Sequence, residues 1–150
     1  MNEITFRMAN VTDASIMSTL NSKNLSENYP FYYWIYQLLF SKNSFLAFKD
    51  DYLVGYIFSF STEQEQTIQT ATIYSLVVDP NYRKLGIASK LLDLAKSSYT
   101  APIKLYLYVN TKNENAIKLY KKKSYQISKL LLNYYSINED GYQMFIFKNF

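Results

Sequence analysis

Residues 71–92 read ATIYSLVVDPNYRKLGIASKLL, and this stretch decides the fold. The segment 71–78 is apolar and β-branched, which predicts a buried strand that ends at Asp79-Pro80. Apolar residues then recur at helical spacing, which predicts a helix over 86–98. Between the two lie a basic turn and Gly86. The stretch therefore predicts a strand, a tight turn and a helix in direct succession.

The basic turn suits an anionic ligand. The first N–H groups of a helix have no intrahelical partner, and the helix dipole favours negative charge at that end. Arg83 and Lys84 add positive charge, and Gly86 permits a close approach of the backbone. A diphosphate is a natural guest, although the turn is neither a Walker loop nor a G-x-G-x-x-G fingerprint. The residues alone are equally compatible with an ordinary connection that carries solvated basic side chains.

Patterns elsewhere predict the element order β-α-α-β-β-β-α-β-α-β-β, with no repeat and no linker. Asp50-Asp51 predicts a tight hairpin between strands over 44–49 and 52–61. The later segments are predicted as a strand over 103–109, a helix over 113–122, and strands over 125–132 and 142–148. This order in 150 residues indicates one α/β domain, 1–150, built on a mixed sheet.

The composition excludes several kinds of chemistry. The chain has no cysteine and no histidine, so disulfides, thiolate metal sites and imidazole bases are ruled out, and no metal is expected. Proton transfer then falls to carboxylates, tyrosine, lysine or water. The net charge of +4 does not require a nucleic-acid partner, so no DNA is expected. No apolar run approaches the ~20 residues that span a bilayer, and the start lacks a signal-peptide core, which predicts a cytoplasmic protein without a membrane partner.

Two motifs resemble the GNAT acetyltransferase superfamily. The first is Arg83-x-x-Gly86-x-Ala88 after Val77-x-Asp79-Pro80, similar to the superfamily's Q/R-x-x-G-x-G/A pattern. The second is similar to its V…N-x-x-A-x-x-L-Y pattern, through Val109, Asn113, Ala116, Leu119 and Tyr120. The resemblance implies a GNAT fold, with a mixed, mostly antiparallel central sheet, a splayed strand pair and flanking helices. It also implies acetyl-CoA as the acetyl donor.

The resemblance implies a cofactor site residue by residue. The strand before the turn would bind the pantetheine through the backbone of Leu76, Val77 and Val78. The turn would hold the diphosphate with the consecutive residues Arg83, Lys84, Leu85, Gly86, Ile87, Ala88 and Ser89. The second motif adds Asn113 and Tyr120, and Tyr120 is implied to meet the leaving thiolate.

Two further stretches resemble the protein N-terminal acetyltransferases, in particular the NatA catalytic type and its archaeal, RimI-like relatives. NLSENYPFYYW (24–34) is similar to their N-L-P-E-N-Y loop, and YYSINEDGYQM (134–144) to their late tyrosine hairpin. The resemblance implies that the substrate is a protein N-terminus or peptide, bound by Glu27, Tyr29, Phe31, Tyr134 and Tyr135. The resemblance is compatible with an auxiliary subunit or a ribosome contact. It is also compatible with either a monomer or a homodimer.

Direct acyl transfer needs a neutral amine. An α-amino group has a pKa of about 8, against about 10.4 for lysine, so an N-terminus needs little help from a base near neutral pH. Glu27 matches the loop glutamate of the resembled enzymes and is the candidate base, acting directly or through one water. Backbone N–H groups near Leu76 and Val77 are the expected donors to the negative charge that develops on the carbonyl oxygen.

The chain departs from the resembled enzymes at several positions. Thr70 and Thr72 stand at or beside the place of a histidine or a glutamate, and neither threonine is a base at neutral pH. Asn138 replaces a hairpin glycine whose conformation asparagine tolerates well. Ser124 replaces a glycine, which predicts a strained or altered turn. Gly141 replaces an alanine, a change expected to matter little.

Other readings of the residues stay open. Without the resemblance, Tyr134-Tyr135 favours half-buried sheet packing, and YPFYYWIYQLLF (29–40) favours a core helix. An acetyltransferase for a small-molecule amine or a lysine side chain is an alternative, although the main acidic pair, Glu63 and Glu65, lies in a single loop. The missing histidine also leaves room for a catalytically degenerate domain that only binds CoA.

Overall fold

The computed structural model describes residues 3–62 and 68–149, so that the acidic pair Glu63 and Glu65 lies outside the described residues. The strands are β1 (Ile4–Met8), β2 (Phe45–Lys49), β3 (Tyr52–Ser61), β4 (Gln69–Val78), β5 (Ile103–Asn110), β6 (Gln126–Ser136) and β7 (Glu139–Lys148). The helices are α1 (Ala14–Asn24), α2 (Phe31–Phe40), α3 (Ile87–Ser98) and α4 (Glu114–Lys122), with 3₁₀ turns at Val11–Asp13 and Pro80–Tyr82. The predicted element order is confirmed.

The strands form a seven-stranded sheet in the order β1-β2-β3-β4-β5-β7-β6. Antiparallel ladders join β1 to β2, β2 to β3, β5 to β7 and β7 to β6. Strands β4 and β5 pair in parallel, and the crossover between them contains α3, as a parallel connection requires. The predicted α/β class with a mixed, mostly antiparallel sheet is confirmed.

The chain divides into two compact units that share strand β4. The first unit comprises Met1–Phe60 and Ser75–Tyr99, and the second comprises Ser61–Tyr74 and Thr100–Phe150. In the first unit the largest fully buried side chains are Trp34, Tyr56, Phe58, Met17, Leu46, Ile57, Leu91 and Leu92. In the second unit they are Ile103, Leu105, Leu107 and Met144, all on β5 and β7. Each unit therefore has its own apolar centre.

Helix α2 is not the core helix that its aromatic sequence predicts. Its buried residues are Trp34 and Leu38, which lie one turn apart. Tyr32, Tyr36 and Phe40 are also spaced by one turn, but they are 73%, 59% and 76% exposed. Because tyrosine and phenylalanine fit either environment, the sequence alone does not reveal which side of such a helix is buried. The helix therefore buries one side and exposes an aromatic side to solvent.

The β6–β7 hairpin is longer than predicted. Strands predicted over 125–132 and 142–148 run instead over Gln126–Ser136 and Glu139–Lys148. Strand β6 is exposed along most of its length, so its sequence lacks the alternation that marks a half-buried strand. Asn138 has φ 63°, the conformation expected of the residue that replaces a hairpin glycine.

Left-handed backbone is common in this glycine-poor chain. The whole sequence contains three glycines, and Gly86 adopts φ 79°. The other described residues with positive φ are Asp50, Lys84, Ser124, Asn133 and Asn138. Ser124 has φ 72° just after α4, so the strain predicted at this position is confirmed.

Candidate active site

Gly86 shapes the turn that begins α3. It is the N-cap, with φ 79° and ψ 9°, a left-handed conformation that L side chains rarely adopt. A Cβ atom built on Gly86 would meet no heavy atom of the described structure within 4 Å. The first helical bond runs from the Lys90 N–H to the Gly86 carbonyl at 3.0 Å, so the N–H groups of Ile87, Ala88 and Ser89 have no intrahelical acceptor. The turn thus presents N–H donors beside open space.

Arg83 and Lys84 place positive charge at the same turn, and both side chains are exposed. Nε of Arg83 donates a hydrogen bond to the Val78 carbonyl at 3.2 Å, which ties the guanidinium to the end of β4. Lys84 has φ 62°, a second left-handed residue close to Gly86. Leu85, between them, is exposed. Two cations, orphan N–H groups and open space are the features that a diphosphate needs, so these residues fit an acyl-CoA.

The end of β4 carries backbone groups that strand β5 does not pair. The described ladder with β5 ends at Ile73, whereas β4 continues to Val78. The Val77 carbonyl faces β3, because a Cβ on Gly55 would lie 3.0 Å from it. Since peptide groups alternate along a strand, those of Leu76 face away from β3. The ladder with β5 thus ends before β4 does, and the N–H of Leu76 points away from β3.

Glu27 lies in the loop between α1 and α2 and is exposed. Its Oε1 accepts a hydrogen bond from the Ser26 hydroxyl at 2.9 Å. Its backbone carbonyl accepts from Nδ2 of the buried Asn21 at 2.7 Å. The carboxylate is therefore accessible, while the backbone that carries it is anchored to helix α1.

An open pocket of about 340 Å³ lies beside this loop. Helix α1 lines it with hydroxyl groups, and the loop lines it with an amide and two rings; the residues are Ser18, Thr19, Ser22, Asn28, Tyr29 and Phe31. Phe31 is exposed, whereas Tyr29 is half-buried and stacks on Tyr33 with ring centroids 5.4 Å apart. Two residues predicted to bind substrate therefore line one pocket next to Glu27.

Asn113 and Tyr120 both belong to helix α4 of the second unit. Asn113 is the N-cap, and its Oδ1 accepts from the Ala116 N–H at 3.2 Å, a structural task that the cofactor prediction did not include. Tyr120 is buried and packs edge-on against Tyr125 with ring centroids 6.1 Å apart. Burial raises the pKa of Tyr120 to about 12, because desolvation disfavours the phenolate. At neutral pH the Tyr120 hydroxyl is therefore a proton-bearing donor and not a base.

Tyr134 and Tyr135 form a cluster with a third tyrosine of the second unit. The rings of Tyr134 and Tyr135 meet edge to face at 5.0 Å, and Tyr134 stacks on Tyr108 of β5 at 5.3 Å. The Tyr108 hydroxyl accepts from Nε2 of Gln143 at 2.9 Å. The sequence reasoning missed Tyr108, although the alternation of β5 puts it on the half-exposed face. The tyrosine pair on β6 is therefore packed against a ring of β5, across the intervening strand β7.

Gly141 of β7 lies directly against the rings of Tyr134 and Tyr135. A Cβ on Gly141 would lie 3.1 Å from ring atoms of both Tyr134 and Tyr135, tighter than ordinary van der Waals contact. A methyl group at this position requires the two rings to shift by a few tenths of an ångström. The expectation that glycine in place of alanine matters little stays a prediction, and the Gly141→Ala variant tests it.

The strand positions that replace a histidine supply no base. Thr70 and Thr72 are buried on β4, and the Thr70 hydroxyl shares a hydrogen bond of 2.9 Å with the Thr62 hydroxyl. Among residues 3–62 and 68–149, acidic side chains nowhere gather in a group of three or more that could hold a metal ion. Over the same residues, no helix combines the length and apolarity needed to cross a membrane.

An open, basic turn with free helix N–H groups, placed directly after a strand, fits the class of acyl-CoA-dependent transferases. The model of the Acetyltransferase (GNAT) family matches residues 13–125, and the chain belongs to that family. An N-alpha-acetyltransferase of Saccharolobus solfataricus is 32% identical to it over 154 residues, covering 95% of this chain and 92% of that protein. The N-terminal acetyltransferase A complex catalytic subunit NAA10 of Arabidopsis thaliana is 34% identical over 149 residues, covering 94% of this chain and 76% of that protein.

A solved structure supports the same assignment of fold. The structure of Arabidopsis thaliana Naa50 in complex with the bisubstrate analogue CoA-Ac-MVNAL is similar with a TM-score of 0.83 and 29% identity. The similarity covers 98% of this chain and 99% of that one. The resemblance read from the sequence motifs, and the GNAT fold that it implied, are confirmed.

Proposed function

We propose that this family member is an N-acetyltransferase that moves the acetyl group of acetyl-CoA directly to the α-amino group of protein N-termini. The turn at Gly86 carries the proposal, because its left-handed backbone leaves helix N–H donors and two cations beside open space. Two comparisons support the choice of amine. The Saccharolobus solfataricus relative is named an N-alpha-acetyltransferase, and the Naa50 structure was solved with an analogue that joins CoA to a peptide.

The first unit would hold the acetyl donor, which supplies the acetyl group as a thioester. Arg83 and Lys84 contribute charge to its phosphates, and the backbone from Leu85 to Ser89 contributes N–H donors. The free peptide groups of Leu76 would pair with the pantetheine and offer an N–H to the charge that develops on the acyl oxygen. Two further residues are proposed for the cofactor site because of the backbone that they hold. Val77 lies in β4 next to Leu76, and Asn113 caps the start of α4.

The peptide substrate would lie against aromatic side chains. Tyr29 and Phe31 line the pocket beside Glu27, and Tyr134 and Tyr135 present a rigid pair from the late hairpin. Tyrosine suits this task because its ring packs flat while its hydroxyl reaches peptide groups. These four residues are the proposed substrate contacts.

Glu27 is the proposed general base. Its carboxylate is exposed and its one recorded side-chain partner in the described structure is the Ser26 hydroxyl. An α-amino group with a pKa of about 8 is partly neutral at physiological pH, so one carboxylate, directly or through a water, suffices. The chain needs no second base at Thr70 or Thr72.

Tyr120 is the proposed donor to the leaving thiolate. Its pKa of about 12 lies well above the value of about 8.5 for an ordinary thiol. Complete transfer of the phenolic proton is therefore uphill, and Tyr120 acts by hydrogen bonding to the sulfur as negative charge builds there.

The remaining features of the proposal concern the whole chain. Residues 1–150 would act as a single acetyltransferase domain, which is supported by a family match over 13–125 that includes parts of both units. An auxiliary subunit or ribosome contact is proposed because the Arabidopsis thaliana relative is named a catalytic subunit of a complex. A cytoplasmic location is proposed with it, since newly made chains are the natural source of free N-termini.

The test is an assay of free thiol released from acetyl-CoA. Peptides with a free N-terminus and varied first residues are compared with the same peptides blocked at the N-terminus but carrying a free lysine. We expect turnover with the free N-termini and none with the blocked set. Turnover with polyamines or aminoglycosides alone would favour the small-amine alternative, and coenzyme binding without any turnover would favour a degenerate domain.

A further inference from the structure

A chain of buried polar groups runs from the Glu27 loop to strand β4 inside the first unit. Nδ2 of Asn21 donates to the Glu27 carbonyl at 2.7 Å and to Oδ1 of Asn28 at 3.2 Å. The Tyr56 hydroxyl donates to Oδ1 of Asn21 at 2.5 Å and also lies 3.0 Å from the Ser75 hydroxyl. Asn21 is 1% and Tyr56 0% exposed. Three side chains from α1, β3 and β4 thus connect the loop to the residue before Leu76.

The orientation of this chain follows from what each group can donate. A backbone carbonyl only accepts, so the Asn21 amide must turn its nitrogen to Glu27 and its oxygen to Tyr56. The one proton of the Tyr56 hydroxyl is then used by Asn21, so Ser75 donates to Tyr56. Burial raises the pKa of Tyr56 well above its ordinary value, so the phenol remains a donor at every physiological pH.

We propose that Tyr56 is a positioning residue, which sets the Glu27 loop against the strand that carries the acetyl donor. The inference rests on the proposed function of Glu27 as base. Glu27 lies in the loop between α1 and α2, outside any helix or strand. The Glu27 carbonyl is anchored to helix α1 by the amide of Asn21, whose orientation Tyr56 maintains. Without the phenolic hydroxyl, the Asn21 oxygen is buried and unpaired, and the amide is free to rotate away from the Glu27 carbonyl.

The chain offers a matched control in Tyr99. Tyr99 is also buried, at 5% exposure, and its hydroxyl shares a hydrogen bond of 3.1 Å with the Ser59 hydroxyl. Burial raises the pKa of Tyr99 in the same direction as that of Tyr56. In the part of the chain that the structure describes, Ser59 is hydrogen-bonded to Ser41, Asn43 and Ser44, which lie outside the Glu27 loop. Tyr56→Phe and Tyr99→Phe therefore each remove one buried hydroxyl bonded to a serine, but only the first disturbs the loop.

The experiment compares the two variants in three measurements on the full chain. The first is hydrogen exchange in the backbone amides of residues 25–29 and 31. The second is peptide kinetics at saturating acetyl-CoA, and the third is acetyl-CoA binding by calorimetry. For Tyr56→Phe we expect faster loop exchange and a loss of about tenfold or more in kcat/KM for the peptide, with unchanged acetyl-CoA affinity. For Tyr99→Phe we expect a comparable fall in thermal stability, with loop exchange and peptide kinetics equal to those of the wild type.

Equal peptide kinetics in the two variants, or an unchanged loop exchange rate in Tyr56→Phe, would overturn the proposal. If Tyr56→Phe fails to fold, Asn21→Leu removes the amide that joins the Tyr56 hydroxyl to the Glu27 carbonyl with little change in side-chain volume, and loop exchange must still accelerate. If the wild type acetylates no free N-terminus, the proposed function fails. The exchange measurement then still decides whether Tyr56 holds the loop.

Discussion

The turn at Gly86 and the hairpin at Gly141 each depend on a glycine, for opposite reasons. Gly86 adopts φ 79° and has open space where a Cβ would lie. Gly141 has no such backbone requirement, but a Cβ there would lie only 3.1 Å from atoms of two tyrosine rings. The turn therefore acts through its backbone, and the hairpin acts through the side chains packed over it. Their substitutions should affect different substrates.

The largest effect is expected outside both regions, at Tyr120 in α4. Tyr120→Phe removes the donor to the thiolate, so we expect kcat to fall by about 10²-fold, with a smaller change in KM for acetyl-CoA. The pKa of about 12 places its titration above the assay range. The pH–rate profile should therefore drop uniformly between about pH 6 and 10 without a shifted inflection. Steady-state kinetics check both points, and an unchanged kcat would remove Tyr120 from the chemistry.

Arg83→Ala should separate the turn from the hairpin most clearly. One charge-assisted contact to a phosphate is worth about 1.5–3 kcal/mol, so the Kd for acetyl-CoA should rise by about 10- to 150-fold. KM for the peptide, measured at saturating acetyl-CoA, should not change. Lys122→Ala makes the same charge change on an exposed position of α4 and is the control. Equal losses in the two variants would mean that only net charge matters, and the turn would lose its special role.

Gly141→Ala should have the reverse pattern. The added methyl group crowds Tyr134 and Tyr135, so we expect a loss of about 1–3 kcal/mol in the free energy of unfolding. Displacement of the ring pair should also raise KM for the peptide while calorimetry shows unchanged acetyl-CoA binding. Asn138→Gly changes the same hairpin at its turn without touching the rings, and it should leave both values alone. Weakened coenzyme binding in Gly141→Ala would break the comparison.

Gly86→Ala tests the backbone half of the comparison and has the smallest expected effect. An L-residue at φ 79° costs about 1–2 kcal/mol, which chemical denaturation measures. D-Alanine at the same position, introduced by chemical ligation, prefers positive φ, the conformation that Gly86 adopts. It should therefore restore both stability and acetyl-CoA affinity. If D-alanine were as harmful as L-alanine, space and not backbone angle would be limiting at Gly86.

Local patterns in the sequence predicted the fold and the turn well. The strand, the Asp79-Pro80 stop, the glycine and the apolar periodicity of α3 lie within 22 consecutive residues, 71–92. Each of these signals acts on the backbone nearby, and so each is readable without knowledge of the rest of the chain. The strain at Ser124 was likewise predictable, because a glycine position filled by serine must still make the same turn.

Contacts between distant segments were not predictable. The stacking of Tyr108 on Tyr134 depends on the register of β5, β7 and β6, which no local pattern specifies. The same holds for the crowding at Gly141, where comparison with relatives suggested a harmless change. The bare side of α2 was missed because aromatic residues suit both buried and exposed surfaces.

Ser124, the left-handed residue after α4, also offers a practical way to raise the thermal stability of the enzyme. Ser124 is exposed and holds φ 72° with an ordinary side chain, a conformation that costs an L-residue about 1–2 kcal/mol. Ser124→Gly would remove that conformational cost and should raise the melting temperature. Ser124 is assigned no contact with either substrate, so this gain in thermal stability is available to protein engineering without changing a group that the proposed reaction uses.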